Sequence, residues 1–230
     1  MGEHDGHRGR LKKRFLETGL SGFDDVTTLE LYLTYAIPRQ DTRKIAKNLI
    51  EKFGDLATVM EAPLELLEQV EGIGRSAATL LLLCHQIQKR HLIQRATFHK
   101  FLTSTGQCGE YLVPYFFGLR DEVVYLLCLD SKCMVLDCRM IFQGGINTAS
   151  VSVRKIVELA VACNATSVVL SHNHTNGVAL PSLEDKRTTA TLRTALTAVG
   201  IELADHIIVA GEDFVSMADS GFFKDNYLMP

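Results

Sequence analysis

The sequence predicts an α+β protein: a small all-helical domain over residues 1–95, then an α/β domain with a mixed sheet over residues 103–230. Three observations carry that expectation. The first ninety-odd residues hold short segments with apolar positions at helical spacing and few with strand character. Beyond residue 103, apolar strand-like runs alternate with amphipathic helices. Between the two, residues 91–105 carry Arg and Lys and end in Thr103-Ser104-Thr105-Gly106, which reads as a linker.

In the first half, Arg10 to Glu17 reads as a basic helical turn or two. The segment Thr27 to Leu33 starts on a hydroxyl cap and stops before Pro38. Asp41 can cap Thr42 to Phe53, where Ile45, Ala46, Leu49, Ile50 and Phe53 follow helical spacing and Gly54 ends the helix. Leu64 to Val70 is a further short helix, and Glu71-Gly72-Ile73-Gly74-Arg75-Ser76-Ala77-Ala78 opens a long one to about Arg90. In the second half, Glu122 to Asp130 and Met134 to Phe142 are strands around a turn at Ser131-Lys132. Val153 to Cys163 is an amphipathic helix, and Ser167 to Ser171 a short buried strand. Pro181-Ser182 launches a helix to about Val199, Gly200 closes it, and Ile201 to Ala210 is an apolar strand.

Composition narrows the function classes. At 230 residues, with 47% hydrophobic and 22% charged residues, the chain can bury a core and is neither disordered nor collagen-like. No apolar run approaches the roughly 18 residues needed to span a bilayer. The polar start Met1 to Arg8 lacks an export signal, so a cytoplasmic protein with no membrane partner is expected. Residues 1–100 hold 15 Lys and Arg against 13 Asp and Glu, and residues 101–230 hold 9 against 14, so bulk charge does not announce nucleic-acid binding. The six cysteines form no Cys-x-x-Cys pair and read as reduced thiols, with Cys133 and Cys138 as packing residues near a hairpin turn.

The chemistry concentrates in Ser171 to Asp185. His172 and His174 end an apolar strand, where extended geometry turns residues two apart to one side. Asp185 follows in the first turn of the next helix, and Gly177 and Pro181 let that turn fold back over the strand end. Two imidazoles and a carboxylate leave one tetrahedral position open, as in a catalytic zinc site. Taken singly, a His-x-His pair is weak evidence of a metal, and Ser182-x-x-Asp185 is also a capping-box pattern. Their combination favours a metal. No His-Glu-x-x-His is present, and the deaminase pattern fails because Asn173-His174 follows His172.

His172-x-His174, seven residues, Ser182, two residues, Asp185 matches the JAMM signature of zinc metalloproteases with the MPN fold. The surroundings resemble the bacterial RadC-like proteins, which carry a His-Asn-His-Pro-Ser-Gly version of this loop. Similar segments are Phe142-Gln143-Gly144, Ala149-Ser150-Val151, Asp205-His206-Ile207-Ile208, Tyr35 to Asp41 and Glu71 to Gly74, so the resemblance covers nearly the whole chain. Thr175-Asn176 departs from the usual Pro-Ser, and Gly145 from a usual Thr. The resemblance implies a deaminase-like MPN domain and a Zn2+ cofactor on His172, His174 and Asp185. It also implies hydrolysis of a peptide or isopeptide bond by a zinc-activated water.

Such a site needs a base for the proton of that water. Glu110, Glu122 and Glu158 lie upstream. Glu122 is favoured because it begins an apolar strand, as the catalytic Glu does in MPN proteins. Glu158 reads as a solvated helix residue, and Glu110 has no geometric link to the strand. Ser182 can cap the helix, donate a hydrogen bond to an oxyanion, or both. Asp205-His206 reads first as a buried hydrogen-bonded pair and second as outer support for a metal ligand. His85, His91 and His99 read as solvated, and His4 and His7 as part of a loose tail.

Gly72-Ile73-Gly74-Arg75-Ser76-Ala77 imitates a dinucleotide fingerprint but lacks the preceding strand. Helix, Gly-apolar-Gly turn, helix instead resembles a helix-hairpin-helix motif. There Gly72 and Gly74 would let backbone N–H groups approach a DNA phosphate, with Arg75 adding charge. A plain helix–helix turn in a protein-interaction module is the competing reading, and Glu68 and Glu71 beside it disfavour DNA. The expectation is a zinc hydrolase. The alternative is a DNA-repair-associated DNA-binding protein whose zinc site is structural or acts on a non-peptide bond. An inactive scaffold is disfavoured because every ligand position is filled.

Overall fold

The computed structural model describes residues 3–38, 40–96, 101–144, 152–175 and 177–223. Gly145, Ala149-Ser150-Val151, Asn176 and His99, all used in the reading above, lie outside them. The chain divides into two compact units, Met1–Gln88 and Lys89–Pro230.

Among its described residues the regular structure of the first unit is all helix: α1 (Glu3–Thr18), α2 (Asp25–Leu33), α3 (Thr42–Phe53), α4 (Leu56–Glu61), α5 (Leu64–Leu67) and most of α6 (Arg75–Ala96). Leu29, Leu33, Ala46, Leu49, Val59, Leu67, Ala78 and Leu81 form its core. Helix α2 starts two residues before the expected hydroxyl cap, because Asp24 accepts the Thr27 N–H at 2.7 Å and is the true N-cap. Asp41 and Gly54 bound α3 as expected.

Helix α1 is a full turn and more longer than its sequence suggested. It carries little apolar periodicity, and polar contacts hold it instead. His7 Nε2 lies 2.7 Å from the buried Glu30 carboxylate, which Arg43 also meets at 3.0 Å. Arg8 donates to the carbonyls of Ile37 and Gln40. His7 is thus a packing residue and not part of a loose tail. His85, expected to be solvated, is buried on α6, whereas His91 is exposed. Helix α6 also runs on to Ala96, into the stretch read as linker.

The exposed Asp24 and Asp55 caps predict an acid-sensitive helical unit. Hydrogen bonds from Thr27 and Thr58 hold these two carboxyls below their ordinary value. A folded value below the unfolded one adds stability that is complete above about pH 4 and lost as pH falls through the folded value. Asp24→Asn keeps the cap, because asparagine caps as well as aspartate. Its melting temperature should match the parent at neutral pH and fall less steeply below about pH 4. An unchanged slope would assign the acid sensitivity elsewhere.

The second unit adds α7 (Thr105–Leu112), a 3-10 turn (Val113–Phe116), β1 (Val123–Leu129), β2 (Val135–Gln143), α8 (Val153–Ala162), β3 (Ser167–Asn173), α9 (Leu183–Ala198), β4 (Glu202–Ala210) and β5 (Asp213–Ser216). The strands form one sheet in the order β2-β1-β3-β4-β5, with only β3 and β4 parallel. Helix α9 is the crossover between those two, as parallel neighbours require. Alternate residues of the sheet pack two layers. Val124, Leu126, Val168 and Leu170 join Ile156 and Ala160 of α8 and Leu192 and Leu196 of α9. Tyr125, Leu127, Val169, Ile207 and Val209 join Cys108, Tyr111 and Leu112 of α7. Every residue of β1 is therefore buried. Strand β3 continues two residues past Ser171, because His172 keeps pairing with both β1 and β4 and Asn173 with β4. All six cysteines are free thiols. Among the described residues, no helix is long and apolar enough to cross a membrane.

Candidate metal centre

Strand β3 and the first turn of α9 build the site. His172 continues the face of β3 that bears Val168 and Leu170, toward α8 and α9. His174 follows the strand end, where its N–H donates to the Val209 carbonyl at 2.8 Å and prolongs the ladder. Ser182 is the N-cap of α9 in a complete capping box with Asp185. The Ser182 N–H donates to Asp185 Oδ2 at 2.8 Å, its hydroxyl to the same oxygen at 2.6 Å, and the Asp185 N–H returns to Ser182 Oγ at 3.1 Å. The capping pattern and the ligand pattern are one arrangement, since the cap aims the carboxylate.

The ligand atoms converge. His172 Nε2 lies 3.2 Å from Asp185 Oδ1, and His174 Nε2 lies 3.5 Å from Asp185 Oδ2. One ligand atom from each residue lies within 4.8 Å of the others. Both imidazoles use their second nitrogen away from the carboxylate: His172 Nδ1 is 2.9 Å from His206 Nε2, and His174 Nδ1 is 3.0 Å from the Val178 carbonyl. A histidine ligand needs its outward nitrogen engaged elsewhere in this way. By donor chemistry the group is able to hold a metal ion.

Burial alone would push the Asp185 carboxyl up. The adjacent His172 imidazole, together with the two bonds from Ser182, outweighs it and holds the carboxyl below the usual carboxylate range. Asp185 is therefore an anion at neutral pH, as a ligand must be. Burial, with the adjacent His172, pushes the His206 imidazole down to about 3, so that ring is neutral.

The family model for the RadC-like JAB domain matches residues 102–222. The chain belongs to that family. It is 34% identical over 212 residues to a UPF0758 protein of Nitrosococcus oceani, covering 92% of this chain and 95% of the relative. It is 32% identical to one of Pseudoalteromonas translucida, with the same two shares, and 30% identical to one of Paraburkholderia xenovorans, covering 92% of this chain and 83% of the relative. The second unit thus has the JAMM-type fold of the RadC-like JAB domain.

Within this RadC-like domain, Glu122 immediately precedes β1. The β1–β3 register pairs Val124 with His172, so its continuation sets Glu122 opposite His174 and on the face that carries His172. Glu122 is half-buried. Its backbone is fixed from both sides: Gly144 N–H donates to the Glu122 carbonyl at 3.1 Å, and Asn173 brackets the segment. Asn173 Oδ1 accepts the Val123 N–H at 2.7 Å, and its Nδ2 donates to the Asp121 carbonyl at 3.0 Å. Sequence reading passed over Asn173 because an Asn between two histidines carries no pattern of its own. Glu158 is exposed and paired with Arg154 at 2.7 Å. Glu110 is exposed on α7, which covers the opposite face of the sheet.

Asp205 and His206 are a buried hydrogen-bonded pair, the His206 backbone N–H donating to Asp205 Oδ1 at 2.7 Å, although their side chains point to opposite faces of the strand. Asp205 accepts from Ser216 Oγ at 2.6 Å and from the Ala218 N–H at 3.0 Å, whereas His206 meets His172 and Thr189.

In the helical unit, Gly72 has φ +90°, and a Cβ there would lie 2.7 Å from both Ile45 Cδ1 and Ile45 Cγ1. Its glycine is explained by backbone and packing alone. Gly72→Ala is expected to destabilise this unit by about 1–3 kcal/mol, the cost of an overpacked position. A denaturant midpoint equal to the parent would show that Ile45 can move aside. Gly74 has no atom within 4 Å of a Cβ position, and Arg75 is paired with Glu68 at 3.3 Å. A phosphate contact would rest on Gly74 and the first N–H groups of α6.

Proposed function

We propose that this chain is a cytoplasmic zinc-dependent hydrolase of JAMM type that cleaves peptide or isopeptide bonds. The observation that carries the reading is the convergence of His172 Nε2, His174 Nε2 and the anionic Asp185, with both outward imidazole nitrogens engaged elsewhere. Three protein ligands leave a fourth position for solvent or substrate. When bound, a zinc ion would supply Lewis-acid polarisation of a carbonyl and lower the pKa of a water. Water adds to the amide carbon, the C–N bond breaks, and the proton that water loses passes to the leaving nitrogen. Glu122, across the sheet from His174, is the residue we assign to carry that proton.

Ser182 is assigned a second task beyond its cap. Its hydroxyl, which donates to Asp185 Oδ2, can turn to the oxyanion developing on the substrate carbonyl. The loop from His174 to Asp185 supports a polypeptide substrate. Val178, Leu180 and Leu183 are 50%, 65% and 73% exposed there, an apolar rim suited to side chains flanking an amide.

The test is hydrolysis of linear and isopeptide-linked peptides by the zinc-loaded chain. The proposal expects cleavage that a chelator abolishes and added zinc restores. Cleavage that survives complete zinc removal would contradict it.

A further inference from the structure

Thr189 and His206 are buried behind His172. His172 Nδ1 lies 2.9 Å from His206 Nε2, His206 Nδ1 lies 2.6 Å from Thr189 Oγ1, and Thr189 Oγ1 lies 2.5 Å from the Asp185 carbonyl oxygen. We propose that Thr189 and His206 are positioning residues: a one-way hydrogen-bond relay that keeps the ring proton of His172 on Nδ1 and aims its Nε2 lone pair at the metal-binding group. The use of that lone pair for zinc rests on the function proposed above. The direction of the relay does not.

The direction follows from the far end. A carbonyl oxygen only accepts, so the contact with Asp185 requires the Thr189 hydroxyl proton. Met217 Sδ, at 3.6 Å from the same hydroxyl, is a weak acceptor and does not compete with a carbonyl. With its proton committed, Thr189 Oγ1 offers only lone pairs to His206 Nδ1, which must therefore carry the His206 proton. His206 Nε2 is then an acceptor, and His172 Nδ1 must donate to it. The reverse direction sets two oxygens 2.5 Å apart with no proton between them. It also ends with a proton on His172 Nε2, 3.2 Å from Asp185 Oδ1, where it would occupy the lone pair a metal needs.

His174 has no need of a relay, because its Nδ1 meets the Val178 carbonyl directly and a carbonyl cannot reverse its role. His172 is oriented by another imidazole, which can act either way. Its tautomer is therefore only as fixed as that of His206, and Thr189 is the residue that fixes it. The relay starts on the backbone of Asp185, so two of the ligand residues are tied together through the protein interior.

Two measurements on the full chain decide the matter. Nitrogen-15 spectra of the imidazoles report the His206 tautomer with or without zinc, and the relay requires the proton on Nδ1. A proton on His206 Nε2 overturns the inference even if the protein binds zinc. Zinc affinity, by competition with a chromophoric chelator, is then compared in Thr189→Val, which keeps the shape and removes the hydroxyl, and in Thr189→Ser, which keeps the hydroxyl. Loss of such outer support typically weakens metal binding about 10–100-fold. Thr189→Val should show that loss, and Thr189→Ser should restore the parent value. A Thr189→Val protein that melts earlier but binds zinc like the parent would make Thr189 merely structural and overturn the proposal. Should the parent itself bind no zinc while His206 carries its proton on Nδ1, the relay stands and the zinc reading falls.

Discussion

Asp185→Ala should lose its zinc while its histidines remain in place. In the proposed site the carboxylate would be a ligand, and it is the acceptor of two hydrogen bonds from Ser182. Its removal leaves two imidazoles facing one another with no anion between them, and two neutral ligands hold zinc far less well than three ligands with a charge. The variant also loses the half of the capping box that the Asp185 side chain supplies, while Ser182 still caps the helix. Asp185→Asn separates the two effects, because an asparagine oxygen still accepts from Ser182 but brings no charge. Elemental analysis should find the alanine variant depleted of zinc and the asparagine variant depleted with less loss of melting temperature. Full zinc occupancy in Asp185→Ala would remove Asp185 from the ligand set.

Glu122→Gln should separate binding from turnover. Glutamine keeps the size of the side chain, the Gly144 bond to its own carbonyl and the Asn173 bonds to the flanking Asp121 and Val123, so the fold and the zinc content should match the parent. It cannot take up a proton. The rate should fall about 10²–10⁴-fold, the usual scale for losing a positioned general base. Undiminished turnover with zinc in place would send the proton through another group.

The convergence of His172, His174 and Asp185 was legible because its pattern is local. His172 and His174 share a strand face by the pleat alone, and Ser182 and Asp185 share a helix start by capping rules alone. Only the closure between those two pieces needed the fold. Strands β1 and β4 were equally legible from their long apolar runs, and α9 from its Ser182 start and Gly200 end, whereas the two layers they pack into were not. Helix α1 was cut short because its hold on the unit comes from His7, Arg8 and the buried Glu30, pairings that no periodicity records. The short α4 and β5 contribute too few buried residues to leave a pattern. Asn173 and Thr189 were out of reach for a different reason. Asn173 acts on Val123 and Asp121, 50 and 52 positions away, and Thr189 joins its own helix to His206, 17 positions away.

The most direct test of the central claim is anomalous diffraction at the zinc absorption edge from crystals of the full chain. The account predicts one zinc per chain, bounded by His172 Nε2, His174 Nε2 and an Asp185 oxygen, with a solvent or substrate atom as the fourth neighbour. A zinc-loaded crystal whose only anomalous peak lies elsewhere, or whose His172 turns Nε2 away from the ion, would contradict it.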